Sequence, residues 1–139
     1  MKDCDCIFCK IANGEIPSAS PYEDENFKVI LDLGPASEGH ALVLPKEHYK
    51  DVTEIPDEVG GAAFSLAGRI GAAMKKGLGA SGFNIVQNNG TSAGQTVFHF
   101  HIHIIPRYEG GPVMVAWKPG SVTPEENAKT AEKIRAALG

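Results

Sequence analysis

Three histidines occupy alternate positions, His99, His101 and His103, within the run Phe98-His99-Phe100-His101-Ile102-His103-Ile104. Strict alternation reads as a β-strand, because successive side chains point to opposite faces. The imidazoles then share one face, and Phe98, Phe100, Ile102 and Ile104 share the face turned to the core. The apolar set pins the register, since a slip of one residue would bury all three imidazoles. At a rise of about 3.3 Å per residue, the outer two Cα atoms stand about 13 Å apart. Adjacent pairs could share one metal ion, whereas three ligands from one straight strand could do so only with difficulty, so the members can hold different jobs. The plainer alternative is a solvated polar face. A neutral imidazole is a competent nucleophile toward phosphorus near pH 7.

The segment before the triplet, Asn88-Asn89-Gly90-Thr91-Ser92-Ala93-Gly94-Gln95-Thr96, is polar and glycine-rich. Gly90 and Gly94 allow main-chain N–H groups to turn into an anion-binding nest, with Asn88, Ser92, Gln95 and Thr96 as side-chain donors. Its position beside three imidazoles suggests a held phosphate. All three cysteines, Cys4, Cys6 and Cys9, lie in the first nine residues, so they cannot form a disulfide framework for the chain. Cys6-Ile7-Phe8-Cys9 has the spacing of a zinc half-site or of a redox pair, and zinc needs two further ligands from elsewhere.

These residues need elements to position them. A short helix fits residues 5–14, with Asp5 near its start and Gly14 at its end. Strands fit 27–32, 40–44 (halted by Pro45), 83–87, 97–105 and 113–117. A long helix fits 57–76, with Val59, Ala63, Leu66, Ile70 and Met74 on one stripe. Its charges suit the helix dipole, with Asp57 and Glu58 near the start and Lys75 and Lys76 near the end. Gly61, Ser65, Gly68 and Ala72 form a second stripe of small residues, which is either a close helix-packing face or a tolerated solvent face. A last helix opens on a capping box, Thr123 with Glu126, and Pro124 in the first turn. Strands joined by loops and one long helix predict an antiparallel sheet in an α+β domain.

The chain has 139 residues, 42% hydrophobic and 22% charged, with a net charge of −4. That is one domain, residues 1–139, with material for a core. A mildly acidic chain with no basic block argues against a nucleic-acid partner. The start lacks a signal-peptide stretch, and no apolar run approaches the roughly 18 residues of a membrane span. With an odd cysteine count, these features predict a cytoplasmic protein without a membrane partner.

The chain resembles the histidine triad (HIT) superfamily. The resemblance rests on Asp5-Cys6-Ile7-Phe8-Cys9-Lys10-Ile11, on Gly39-His40 leading to Leu42-Val43-Leu44-Pro45-Lys46-Glu47-His48, and on Asn88, Gly94-Gln95 and the triad continuing to Pro106-Arg107-Tyr108. It is closest to the Hint-like nucleotide hydrolases of the zinc-bearing branch. The resemblance implies a five-stranded antiparallel sheet with one long helix and short terminal helices, dimerising through the long helix. It implies hydrolysis at the α-phosphorus of purine nucleoside 5′-phosphoramidates or related AMP or GMP conjugates through a nucleotidyl-histidine. Dinucleoside polyphosphate hydrolysis, nucleotidyl transfer and nucleotide-binding regulation are the alternatives, and His103 stands where transferases usually carry Gln.

The resemblance also assigns residues. His101 matches the nucleophile, and His103 matches the contact to the phosphate and the leaving group. Ile7, Phe8, Ile11, Ile30 and Leu33 match the base walls, although plain core packing is the other reading for these five. Asp32 matches the ribose carboxylate, and Asn88, Gly94, Gln95 and Thr96 match the phosphate side. Cys6, Cys9, His48 and His99 match a four-ligand structural zinc site. His40 matches a histidine near the nucleophile, either a hydrogen-bond partner or a satisfied core residue. Cys4 and Trp117 receive no role.

Overall fold

The computed structural model describes Asp3, residues 5–113 and residues 117–138. The chain builds five strands: β1 (Tyr22–Glu23), β2 (Phe27–Leu31), β3 (Ala41–Pro45), β4 (Gly82–Val86) and β5 (Ile102–Arg107). They form one sheet in the order β1-β2-β3-β5-β4, with every neighbouring pair antiparallel. Helix α1 (Ile7–Ala12) covers one face, and α2 (Asp57–Leu78) covers the other. A further helix, α3 (Pro124–Leu138), follows, and none of its residues is buried. Among the described residues no helix is long and apolar enough to cross a membrane.

The two faces divide by strand parity. Phe27, Val29, Ala41, Val43, Ile102 and Ile104 point to α2 and meet its Ala63, Leu66, Ala67 and Met74. Ile30, Leu42 and Leu44 point the other way, beneath Phe8, Ile11 and Ala12. Leu44 and Ile104 are fully buried, so truncating either to Ala costs about 2–5 kcal/mol. Helix α2 keeps its expected apolar stripe and ends at Gly79, whose φ of +73° is left-handed. Gly71 touches the sheet most closely: a Cβ there would lie 2.3 Å from the Phe83 ring.

Several expectations shift. The run 97–105 is not one strand, because β5 begins only at Ile102. Its ladder to β3 ends at Val43↔Ile102, and two residues further on Pro45 has no N–H to donate. The Pro45 carbonyl accepts instead from the His99 ring at 2.8 Å, while Phe100 N–H turns to the Tyr49 carbonyl at 2.6 Å. Helix α1 starts at Ile7, with Cys6 and not Asp5 at its cap. Strand β3 runs from Ala41 and includes Pro45, leaving His40 just outside. The strand expected at 113–117 has its centre, 114–116, outside the described residues, as does Cys4. The fifth strand of the sheet is Tyr22–Glu23. The capping box of α3 forms, with Glu126 N–H donating to Thr123 Oγ1 and Thr123 N–H to Glu126 Oε1.

Candidate functional site

Cys6 caps α1, its Sγ accepting the Cys9 N–H at 3.4 Å, so the local turn sets both thiols side by side. Asn13 Nδ2 donates to the Cys9 and Lys46 carbonyls, at 2.9 and 3.1 Å, which fastens α1 to the segment that carries His48. His99 arrives from the bend before β5. Its Nε2–H donates to the Pro45 carbonyl, leaving the lone pair on Nδ1. That atom lies 3.4 Å from Cys6 Sγ, 3.4 Å from Cys9 Sγ and 3.2 Å from His48 Nδ1, and His48 Nδ1 lies 3.4 Å from Cys9 Sγ.

A single lone pair cannot satisfy three such neighbours as hydrogen bonds, so the four atoms converge on a shared centre. Tetrahedral zinc ligands at about 2.3 Å for sulfur and about 2.0–2.1 Å for nitrogen stand about 3.3–3.8 Å apart, close to the spacings seen. Burial pushes the Cys9 thiol up, while a hydrogen bond from Asp3 N–H pulls it down. Burial likewise pushes His99 down to about 4, keeping its ring neutral. Two soft sulfurs and two imidazole nitrogens are a donor set suited to zinc.

His101 is also buried, which sets aside the alternative of a solvated face; Phe8 of α1 meets it in a T-shaped contact with ring centroids 4.9 Å apart. Its Nδ1–H donates to the His99 carbonyl at 2.7 Å, which leaves the lone pair on Nε2. Burial lowers its pKa, against the opposing pull of that carbonyl and of the Asp32 charge. His103 sits within β5, opposite Leu42. Leu42 in turn pairs with Ile30, so Ile30, Leu42 and His103 form one row across three strands. One step along, Asp32 N–H donates to the His40 carbonyl at 2.9 Å. Asp32, His40 and His103 therefore cluster, their ligand atoms all within 4.8 Å of one another.

The remaining sequence-assigned residues vary in placement. Ile30 is buried and Phe8, Ile11 and Asp32 are partly buried, whereas Ile7 is half exposed and Leu33 fully exposed, packing on nothing. Phe98, expected on the core face, is 41% exposed. Four of the loop's N–H groups are spent internally and are not the free donors expected of a nest. The N–H groups of Gly90, Ala93, Gly94 and Gln95 all bond within it, around a 3₁₀ turn at Thr91–Ala93. Gln95 is buried, its Oε1 accepting from Gly90 N–H and its Nε2 donating to the Lys50 and Val97 carbonyls. It braces the loop from inside. Asn88 is partly buried at the loop's start, and Gly94 (φ +92°) and Thr96 are exposed. A cleft of about 590 Å³ runs past Ile7, Cys6, His48 and Thr96. Sequence reasoning did not single out Asn13, or the Pro45 carbonyl as the partner of His99. The first carries only a generic cap signal, and the second is main chain.

Comparison with known proteins agrees with this geometry. The HIT domain family model matches residues 13–110, a span that holds His48, the loop and all three triad histidines. The chain is 38% identical over 134 residues to the adenosine 5′-monophosphoramidase of Schizosaccharomyces pombe, covering 96% of this chain and 98% of that protein. A crystal structure of a HIT family member from Bacillus subtilis superposes with a TM-score of 0.89 at 40% identity, covering 97% and 98% of the two chains. A Zn-bound histidine triad family protein from Mycobacterium smegmatis superposes at 0.77 with 40% identity, covering 96% and 95%. With this fold, and with three histidines each held by its own partner, the chain belongs to the HIT, or histidine triad, family.

Proposed function

We propose that the protein hydrolyses purine nucleoside 5′-phosphoramidates, or related AMP or GMP conjugates, by way of a nucleotidyl-histidine. The observation that carries this reading is the hydrogen bond from His101 Nδ1–H to the His99 carbonyl, 2.7 Å long. It holds the nucleophilic lone pair on Nε2, and burial keeps the ring neutral. The base lies against Phe8, Ile11 and Ile30, with Ile7 at the mouth, and the ribose hydroxyls donate to Asp32. His101 Nε2 attacks the α-phosphorus. A P–N bond to the imidazole forms as the bond to the leaving group breaks, and the leaving atom departs with the electron pair and takes a proton from water. Water then attacks phosphorus, the histidine leaves with its lone pair restored, and the nucleoside monophosphate is released.

Cys6, Cys9, His48 and His99 would hold one zinc ion, whose four-ligand shell leaves no place for a reacting water and so makes it structural. It would join α1, and with it the base wall, to the segment bearing His101. The small-residue stripe of α2 supports a homodimer through that helix, and the free thiols suit a reducing, cytoplasmic setting. The test is turnover of adenosine 5′-phosphoramidate and of a diadenosine polyphosphate by wild type and His101→Ala. Fast AMP release from the phosphoramidate, lost in the variant, is expected. Preference for the polyphosphate would move the protein to a dinucleoside polyphosphate hydrolase. Binding of AMP without turnover of either would make it a nucleotide-binding regulator.

A further inference from the structure

Of the five histidines, His48 and His99 belong to the metal group, His101 is the proposed nucleophile and His103 matches the phosphate contact, which leaves His40 without a part. It is buried, and both ring nitrogens are engaged. Ala36 N–H points at Nδ1 from 3.0 Å. A main-chain N–H can only donate, so His40 Nδ1 must carry a lone pair. In the neutral ring the proton is then on Nε2, and burial holds the ring neutral by lowering its pKa, against the opposing charge of Asp32. His40 Nε2 lies 3.0 Å from His103 Nδ1 and 3.6 Å from Asp32 Oδ2, so the Nε2–H donates to His103. His103 Nδ1 is therefore an acceptor, and the His103 proton is left on Nε2.

The arrangement is braced. Ser37 Oγ donates to the Pro106 carbonyl at 2.6 Å, and Tyr108 Oη donates to the Glu38 carbonyl at 2.7 Å. Both tie the loop bearing Ala36 to the end of β5. The same hydrogen-bond order argues against a cation among Asp32, His40 and His103, because a ligating His40 Nε2 would need its proton on Nδ1, against Ala36 N–H.

We infer that His40 is a positioning residue that locks His103 in its Nε2–H tautomer, so that His103 offers an N–H donor to the phosphoryl or leaving-group atom of a bound nucleotide. The tautomer lock stands on the hydrogen bonds alone, and the use made of the donor rests on the hydrolase reading. As a neutral imidazole N–H, the donor stabilises developing negative charge without giving up its proton.

Long-range ¹H–¹⁵N spectra of ring-labelled histidine read the lock directly. In wild type, His103 should show a protonated Nε2 and a pyridine-like Nδ1. His40→Leu should return His103 to a mixture of tautomers. His40→Gln, whose amide can donate from nearly the same place, should keep the wild-type pattern. A protonated Nδ1 on His103 in wild type, or an unchanged His103 in His40→Leu, would overturn the lock. If His40→Leu does not fold, the wild-type tautomer and His40→Gln still decide. In turnover, His40→Leu should lower kcat about tenfold or more for an aliphatic-amine phosphoramidate, and less for a nitroaniline one. KM should change little, and His40→Gln should recover most of the loss. Equal losses on both substrates, or no recovery with Gln, would overturn the role assigned to the donor. No turnover by wild type would remove the hydrolase reading while the spectra still judge the lock.

Discussion

His99 and His101 present opposite ring nitrogens. His99 donates through Nε2 to the Pro45 carbonyl, and His101 donates through Nδ1 to the His99 carbonyl, at 2.8 and 2.7 Å. Two histidines at positions i and i+2 thus keep their lone pairs on opposite ring nitrogens, that of His99 on Nδ1 facing Cys6, Cys9 and His48 and that of His101 on Nε2. His101→Ala should therefore lower kcat by on the order of 10³-fold or more, with AMP affinity held within a few-fold by calorimetry. Retained turnover in that variant would refute His101 as the nucleophile.

Metal content gives the second check. Purified protein should carry one zinc per chain, and Cys9→Ser should carry none. With zinc at a hundredfold excess over its Kd, the metal contributes about 2.7 kcal/mol to the wild type. Chelation should lower the wild-type Tm and leave that of Cys9→Ser unmoved. Full zinc occupancy in Cys9→Ser would mean that the ligand set is wrong.

The glycines of α2 should separate by position. Gly71→Ala drives a methyl group into the Phe83 ring and should cost about 1–3 kcal/mol in urea unfolding. Gly61 and Gly68 face open space within the chain. On an α2-mediated dimer, Gly68→Arg should yield a folded monomer in sedimentation. A wild type already monomeric at micromolar concentration would remove the dimer proposal.

Acid should weaken the fold partly through His103. Burial first, then the nearby His101 and His40, depress it from 6.5 to about 4. The native state then binds fewer protons than the unfolded chain, so this stabilisation is present above about pH 6.5 and is lost as the pH falls toward 4. Urea midpoints at pH 7 and pH 5 should differ less in His103→Gln than in wild type. An equal difference would count against the depressed value.

Periodicity made much of this legible. The stripe of α2 and the apolar runs of β2 and β3 follow from single segments, whereas the row of Ile30, Leu42 and His103 appears only once the strands are paired. What escaped depends on other strands. Tyr22–Glu23 is too short to show a period and becomes a strand only by pairing with β2. The break before Ile102 depends on Pro45, which is 57 residues earlier than Ile102 in sequence but only two residues past Val43, the ladder partner of Ile102. Gln95 reads as a phosphate donor until its amide is seen to be spent on the Lys50 and Val97 carbonyls and on Gly90 N–H. Gly61 and Gly68 drew attention on α2, yet only contact with Phe83 marks Gly71.

The acceptors of His99 and His101 are carbonyl oxygens, which every amino acid carries. No codon change at position 45 or 99 can delete them without moving the backbone. These two proton placements are thus heritable with the architecture and immune to most point substitution. The placement on His103 depends on a side chain, that of His40. Drift or selection can retune that position alone, so under the proposed hydrolysis a change at position 40 would alter leaving-group preference while His101 stays the same.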